Sequence, residues 1–329
     1  MKKLSVTLLI SFISSSAFAV ENGTPVDWKN SYDDVVENQC TGLIIAGNKI
    51  LTAAHCLRTN NIEFSDGSSV NALSRKPHPS YEIQPTGNQY DLAIWTLPST
   101  VNVKNIHFLE NVTTQTVKVG DSLRSFGFGG DNPLAYVSYN VTKTANRPNY
   151  TWTLITGVST ISGANLIGGD SGGITLNNSD KVVGINSATS GNSASQTDLY
   201  YGKDFILETV NGWHYPTLAT TSNNKSTITV QSLHKNPTTD AAYTDGGITV
   251  VGGTCQGRSN IAAFETCTYE IEGTSEGKLY LSANEFIHIN KPASTSKPNN
   301  GGSNGGSSGG SLGWLSLAVL ALMRLRKQK

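Results

Sequence analysis

Three short motifs in this chain carry side chains that could act together on a substrate. The run Gly168–Gly173 reads GGDSGG and has Ser171 at its centre. Upstream, the segment TAAHC contains His55, and the segment DLAI begins with Asp91. A serine hydroxyl is a poor nucleophile unless a base removes its proton, and the base needs an acidic partner that fixes its tautomer. The order His, Asp, Ser therefore predicts nucleophilic catalysis by Ser171, with His55 as the base and Asp91 as its partner.

The glycines around this serine have a predicted role of their own. Attack on a carbonyl places negative charge on its oxygen, and backbone N–H groups must point at that oxygen before the charge develops. Small residues in a tight turn let a substrate approach the backbone closely. We therefore predict an oxyanion hole at the amides of Gly169 and Ser171. No group of His, Cys, Asp and Glu has the spacing of a metal site, so we predict neither a metal nor an organic cofactor.

These motifs resemble those of the trypsin/chymotrypsin family of serine endopeptidases, over about residues 20–213. The weaker matches are CTGLI at 40–44, PHPSY at 77–81, GFG at 127–129 and VGINS at 183–187. The resemblance implies an all-β, chymotrypsin-like fold of two six-stranded barrels with a C-terminal helix. It also implies a serine endopeptidase that works through an acyl-enzyme intermediate. The competing prediction is a catalytically inactive protein that uses a peptidase fold to bind at a surface.

The pattern of apolar residues agrees with such a fold. Short β-rich runs alternate with turn residues, as in an antiparallel barrel protein; they are Leu43–Leu51, Leu92–Leu97, Ser122–Phe128 and Lys181–Asn186. The stretch Lys203–Trp213 spaces its apolar residues as a helix does.

Composition divides the chain into five predicted segments. Residues 1–19 combine Lys2 and Lys3, an apolar run and an A-x-A site, which is the pattern of a signal peptide. The others are a peptidase domain at 20–216, a small immunoglobulin-like β-sandwich domain at 217–295, a Gly/Ser-rich linker at 296–311, and a short hydrophobic and basic tail at 312–329. The role of the 217–295 domain is open between a spacer and a binding module.

Two features implied by the resemblance concern bonds within the fold. Val20 follows the predicted signal cleavage site, and its free amine would pair with the carboxylate of Asp170 and shape the oxyanion turn. We expect signal peptidase itself to release this amine, with simple removal of the signal as the alternative. Four cysteines allow three pairings; the resemblance implies Cys40–Cys56, and we predict Cys255–Cys267 for the smaller domain.

The predicted specificity pocket departs from the trypsin pattern. The residue six before the nucleophile, at the base of the family's pocket, is Asn165 where trypsin-like members have an aspartate. We match Asp198 to a second pocket position, where a carboxylate would face a bound Arg or Lys. The predicted wall is Ser187, Ala188 and Thr189. The sequence thus predicts cleavage after Arg or Lys, and the alternative is a neutral polar pocket in which Asp198 is a solvated loop charge.

The chain end and the charge indicate where the protein acts. A Gly-Gly-Ser run, a short apolar stretch and an Arg/Lys end resemble the GlyGly-CTERM sorting tails of Gram-negative (Vibrio-like) secreted trypsin-like proteases. That similarity implies type II secretion, transient retention at the inner membrane, cleavage by a rhomboid-type sortase near 309–310 and attachment at the cell surface; a permanent weak anchor is the alternative. Without signal and tail, 18 basic and 24 acidic residues remain, so we predict no nucleic-acid partner. We also predict that the protein is a monomer and that its substrates are proteins.

Overall fold

The computed structural model describes residues 20–56, 61–83, 89–129, 133–144 and 154–292. The predicted signal peptide at 1–19, linker at 296–311 and tail at 312–329 lie outside these residues. Among the helices that the structure describes, none is long and apolar enough to cross a membrane.

A curled seven-stranded sheet is formed by strands that lie between Val35 and Thr96. The strands before residue 100, together with a short helix, are β1 (Thr24–Pro25), α1 (Trp28–Ser31), β2 (Val35–Glu37), β3 (Thr41–Ile45), β4 (Lys49–Thr52), β5 (Asn61–Glu63), β6 (Ser69–Asn71), β7 (Ser74–Pro77) and β8 (Ala93–Thr96). The sheet has the order β6-β5-β2-β3-β4-β8-β7. All five residues of β3 are buried, so this central strand packs on both faces.

A second sheet closes into a ring. It is built from β9 (Ser122–Gly127), β10 (Ala135–Lys143), β11 (Leu154–Ser159), β12 (Ile174–Leu176), β13 (Val182–Ser190) and β14 (Ser193–Asp198). The order is β10-β11-β14-β13-β12-β9, and β9 pairs back with β10. Closure removes exposed strand edges, and the two-residue β1 adds a seventh strand on β10. These two sheets form the predicted chymotrypsin-like pair of barrels.

One long helix follows the second barrel. It is α2 (Leu199–Val210), which starts and ends a few residues earlier than the predicted Lys203–Trp213. The Asp198 side chain caps its start by accepting the N–H of Tyr200. Asn211 adopts a left-handed conformation with φ of 43° and ends the helix.

The remaining strands form a smaller sheet. They are β15 (Trp213–His214), β16 (Leu218–Ala219), β17 (Lys225–Ser232), β18 (Tyr243–Gly252), β19 (Thr266–Tyr280) and β20 (Phe286–Ile289). The fifteen-residue β19 continues through Gly273, which has a φ of 148° and pairs with Ile248 of β18. An immunoglobulin-like arrangement of these strands and a domain boundary at 216/217 stay predictions.

This smaller sheet packs directly on the first barrel. Leu233 and Phe264 are buried in the same hydrophobic core as the strands of that barrel. The N–H of Ala46 donates to Nδ1 of His214, and burial lowers the pKa of this histidine to about 4. The described residues up to Lys291 form one compact unit.

Candidate active site

His55 is held by the turn that follows β4. Ala53 in this turn is fully buried, and its carbonyl accepts the N–H of Cys56 over 3.2 Å. The disulfide between Cys40 and Cys56, one of the two that were predicted, ties the turn to the start of β3. The His55 side chain keeps 29% of its surface exposed, so part of the ring can meet a substrate.

Asp91 is fully buried and accepts hydrogen bonds from two sides. Its Oδ1 accepts the backbone N–H of His55 over 3.0 Å, and its Oδ2 lies 2.6 Å from Nδ1 of the same residue. The Ser187 hydroxyl donates to the same Oδ2 over 2.6 Å, and the Thr197 hydroxyl donates to the Asp91 carbonyl over 3.0 Å. A carboxylate can only accept, so Nδ1 carries a proton and Nε2 is the ring atom left to take another.

The charge of Asp91 is stabilised despite its burial. Burial by itself raises the pKa of this carboxyl, because the charged form loses hydration. The hydrogen bonds and charge of His55, with the Ser187 hydroxyl, more than offset that effect, so the pKa of Asp91 lies below its ordinary value. The carboxylate therefore stays ionised at neutral pH and can stabilise a protonated His55.

The turn that carries Ser171 is wedged between the two barrels. Gly172 has a φ of 81°, and a Cβ on it would lie 2.2 Å from the carbonyl oxygen of Thr41 in the first barrel. A Cβ on Gly173 would lie 2.0 Å from the carbonyl oxygen of Phe126 in the second. Only glycine fits at these two positions, which explains why two glycines follow Ser171.

The same turn lies against the loop of His55. The carbonyl of Ser171 accepts the N–H of Thr41 over 2.7 Å and lies 3.7 Å from Sγ of Cys56, the neighbour of His55 in the chain. Among the described residues no hydrogen bond joins the Ser171 hydroxyl to His55; such bonds are often long without a substrate. The fold thus brings the loops of the three predicted triad residues together.

Two amides at the Ser171 turn are unused. Gly169 has a φ of 105°, in the region that favours glycine. Within the described part of the chain, neither the N–H of Gly169 nor that of Ser171 donates to another protein group, whereas the N–H of Asp170 donates to Ile167 and that of Gly173 donates back to Asp170. Both predicted oxyanion donors are therefore available to a ligand.

The model of the Trypsin family matches residues 20–204. The chain belongs to the trypsin family. The predicted chymotrypsin-like fold and serine-type endopeptidase are confirmed by this match. Similar solved structures are those of the VesB protease of Vibrio cholerae (20% identity, 82% of this chain and 97% of that chain covered, TM-score 0.47) and of its secreted serine protease VesC (15%, 82% and 71%, 0.46). Mouse neuropsin, a serine protease, is also similar (18%, 57% and 98%, 0.49). No curated protein matches the sequence.

In this trypsin-family protein, the first described residues lie beside the segment that precedes Ser171. Val20 is fully buried, and Glu21 pairs with Asn165 in antiparallel fashion. Oδ2 of Asp170 accepts the N–H of Ile167 over 2.7 Å, while its Oδ1 has no partner among the described residues. Burial raises the pKa of Asp170 to about 7, and backbone N–H groups offset only part of this. The predicted Val20 amine would supply a partner for this buried Oδ1.

Asp198 lies away from the predicted pocket. One of its oxygens accepts the N–H of Tyr200 over 3.0 Å, and the other accepts Nε2 of Gln115 over 3.1 Å. The pairing of β13 with β14 places Asp198 opposite Gly184, at the far end from Thr189 of the predicted wall, with a bulge in β13 between them. Burial raises the pKa of Asp198. Asp198 therefore acts as the cap of α2, and its role as a pocket charge stays a prediction.

The other predicted pocket residues divide into two groups. Ser187 is buried and its hydroxyl donates to Asp91, so it supports the predicted triad; its place in the pocket wall stays a prediction. Ala188 and Thr189 are exposed on β13. Asn165 is half-buried, and its Oδ1 accepts the hydroxyl of Tyr139 over 2.6 Å. All four of these predicted pocket residues are uncharged.

One group of possible metal ligands lies within the described residues. Donor atoms of Cys40, His55 and Cys56 lie within 4.8 Å of one another. Both cysteines are joined in a disulfide, and a metal binds the thiolate form of cysteine. This group therefore does not fit a metal. The second predicted disulfide, Cys255–Cys267, is also present, in the smaller sheet.

Two side chains near the site were missed by the sequence analysis. Thr197 holds the backbone of Asp91, and Thr41 touches the turn of Gly169. Thr41 follows Cys40 directly in a motif that was noted, but nothing in the sequence shows which strand faces the nucleophile turn.

Proposed function

We propose that this trypsin-family protein is a secreted endopeptidase that hydrolyses peptide bonds through His55, Asp91 and Ser171. The observation that supports this most is the 2.6 Å contact of Asp91 with Nδ1 of His55 beside the Ser171 turn. An ionised carboxylate behind a partly exposed imidazole orients the ring and stabilises its protonated form.

Acylation follows from this arrangement. The Ser171 oxygen attacks the substrate carbonyl while Nε2 of His55 removes its proton. The carbonyl oxygen becomes negative and accepts hydrogen bonds from the amides of Gly169 and Ser171. The protonated His55 then gives its proton to the leaving amine, and an acyl-enzyme on Ser171 remains.

Deacylation repeats the same steps with water. His55 removes a proton from a water molecule that attacks the ester carbonyl, and the same two amides receive the oxyanion. The protonated ring returns the proton to Ser171 as the carboxylic acid leaves. Asp91 remains ionised throughout.

We propose that the free amine of Val20 completes the site. Its ammonium would pair with Asp170, whose Oδ1 is otherwise unpartnered within the described residues. A buried carboxylate without a partner is costly. Signal peptidase would expose this amine directly when it cuts between Ala19 and Val20.

The predicted preference for Arg or Lys before the cut depended on Asp198 as a pocket charge. Because the Asp198 side chain caps α2, we no longer infer that preference from it. We favour the alternative, a neutral polar pocket with Asn165 at its base. Thr189 stands where the family's glycine keeps the pocket mouth open, so we expect poor cleavage after large aromatic residues.

We also propose that the protein is secreted and then attached at the cell surface. Secretion rests on the signal pattern at 1–19, and sorting by a rhomboid-type sortase with surface attachment rests on the tail pattern at 312–329. Similar VesC is described as secreted. Mass spectrometry of protein from the producing cell tests both: a start at Val20 and an end near Gly309 are expected, and an intact Lys329 would reject processing.

The activity is tested with fluorogenic peptides that differ in the residue before the cut. Wild-type protein starting at Val20 should cleave after small or neutral polar residues, and Ser171→Ala should lower turnover by roughly four to six orders of magnitude. Dominant cleavage after Arg or Lys would contradict the neutral pocket alone. Equal rates for wild type and Ser171→Ala would contradict the enzyme and favour the surface-binding alternative.

A further inference from the structure

The turn that carries the proposed oxyanion donors is held from outside by one side chain that the catalytic steps do not use. We propose that the hydroxyl of Thr41 is a positioning residue for this turn, which comprises Gly169, Asp170 and Ser171. The inference rests on the proposed function, because it assigns a role in the same reaction.

Every polar group of Thr41 is engaged, and most of them face the turn or its supports. The residue is fully buried. Its hydroxyl donates to the carbonyl of Gly169 over 3.0 Å and accepts the N–H of Phe128 over 3.2 Å. Its N–H donates to the carbonyl of Ser171 over 2.7 Å, and its own carbonyl accepts the hydroxyl of Thr52 over 2.8 Å.

These bonds act on the two residues that carry the oxyanion donors. Thr41 holds the carbonyls of Gly169 and Ser171, and the N–H groups of the same two residues are the proposed donors. Glycine can adopt more backbone conformations than any other residue type. The N–H of Gly169 therefore needs a restraint from another residue to stay directed at the oxyanion. The Thr41 hydroxyl supplies that restraint at the carbonyl of the same glycine.

The hydroxyl also joins three parts of the fold. Thr41 begins β3 of the first barrel, and Phe128 follows β9 of the second. A single oxygen therefore links both barrels to Gly169. This restraint does not depend on charge, whereas the Asp170 carboxyl within the turn accepts the N–H of Ile167 at Oδ2 and has no partner for Oδ1 among the described residues.

The inference is tested with Thr41→Val, which keeps the shape and the backbone bonds but removes the hydroxyl. Thr217→Val is the matched control: the Thr217 hydroxyl donates to the carbonyl of Val101 over 2.6 Å, with the carbonyl of Val103 at 3.4 Å, and accepts the N–H of Val103 over 2.8 Å. Thr217 lies at the junction with the smaller sheet and is also buried. Both variants lose the same kind of bonds, so a general loss of stability affects both.

The readouts are kcat and KM for a peptide amide and the affinity for a peptide boronic acid, which forms a tetrahedral adduct with the serine. Since removal of a whole oxyanion donor costs about a hundred- to a thousandfold in kcat, we expect a misdirected donor in Thr41→Val to cost roughly ten- to a hundredfold. KM should stay within about twofold, because the effect belongs to the transition state. Boronic acid affinity should fall by a similar factor to kcat, and Thr41→Ser should restore both.

Three outcomes overturn the inference. A Thr41→Val protein whose kcat equals that of Thr217→Val shows no positioning role. A raised KM with unchanged kcat assigns Thr41 to substrate binding instead. A wild type that cleaves no peptide overturns the proposed function and this role together, whereas an active wild type with an unaffected Thr41→Val overturns only the role of Thr41.

Discussion

The side chain of Gln231 pairs with the backbone of Leu109 as a neighbouring strand would. Its Oε1 accepts the Leu109 N–H over 3.0 Å, and its Nε2 donates to the Leu109 carbonyl over 2.7 Å and to that of Phe264 over 3.0 Å. Gln231 lies in the smaller sheet and is fully buried. The segment around Leu109 also pairs with Val182, where β13 starts. One amide therefore ties the smaller sheet to the segment that joins the barrels.

Replacing Gln231 by Leu should lower the free energy of unfolding by about 2–4 kcal/mol, because it leaves buried backbone groups of Leu109 and Phe264 without partners. Denaturant titration measures this loss. Thr227→Ala, at an exposed position of the same strand, is the control and should change stability by less than about 0.5 kcal/mol. Equal effects of the two variants would show that the Gln231 contacts contribute nothing to stability.

Asp91→Asn should lower kcat by about four orders of magnitude near neutral pH, since an amide can donate to the ring and leave His55 in the wrong tautomer. Steady-state kinetics on a peptide amide give the value. Asp198→Asn makes the same chemical change at another buried aspartate and should leave kcat within about twofold, because Asp198 caps a helix. Similar losses in both variants would argue against a specific role for Asp91.

Asp198→Ala separates a helix cap from a pocket charge. Loss of the cap should cost about 1 kcal/mol of stability, measured by thermal unfolding, while the ranking of peptides by the residue before the cut stays unchanged. Asparagine at this position also caps helices well, so Asp198→Asn should recover most of the stability. Selective loss of cleavage after Arg and Lys in both variants would restore the pocket prediction.

The Val20 amine should change how stability depends on pH. With a chain that continues before Val20, the pKa of Asp170 is raised to about 7 from 3.8. Between these values the folded state binds more protons than the unfolded state, so stability is full at low pH and falls as pH rises through about 7. A free ammonium at Val20 lowers this pKa and should remove much of the fall.

The comparison uses protein that starts at Val20 and protein that keeps Ala19 before it. Unfolding by denaturant is followed from pH 4 to 8, and only the difference between the two curves is interpreted, since other groups titrate alike in both. Asp170→Asn in the longer protein should abolish the fall. Superimposable curves for the first two proteins would reject the ion pair.

The sequence was informative where a local pattern has one physical meaning. The GGDSGG run places Ser171 in a turn that needs glycine at several positions. The TAAHC motif places His55 directly before a cysteine, just after a buried strand. Those patterns are short and need no knowledge of strand pairing. The positions of His55, Asp91 and Ser171 near one another therefore follow from motifs and from the family they resemble.

Strand register is what the sequence did not reveal. The pocket position of Asp198 was inferred by matching its segment to that of the family, and the bulge between Asn186 and Ala188 changes which residues of β13 and β14 face each other. Bulges and pairing depend on contacts between segments far apart in sequence, and neither leaves a short motif.

The shared core has a consequence for the order in which the chain can complete its fold. Leu233 and Phe264 belong to a buried core that both barrels and α2 share, yet they follow the last strand of the first barrel by well over a hundred positions. Synthesis runs from the N-terminus, and domains usually fold as they emerge. Here the shared core stays incomplete until residues 233 and 264 have been made. A nascent chain that already contains all three predicted triad residues therefore still lacks part of this core, and most of the described chain must be made before the core can close.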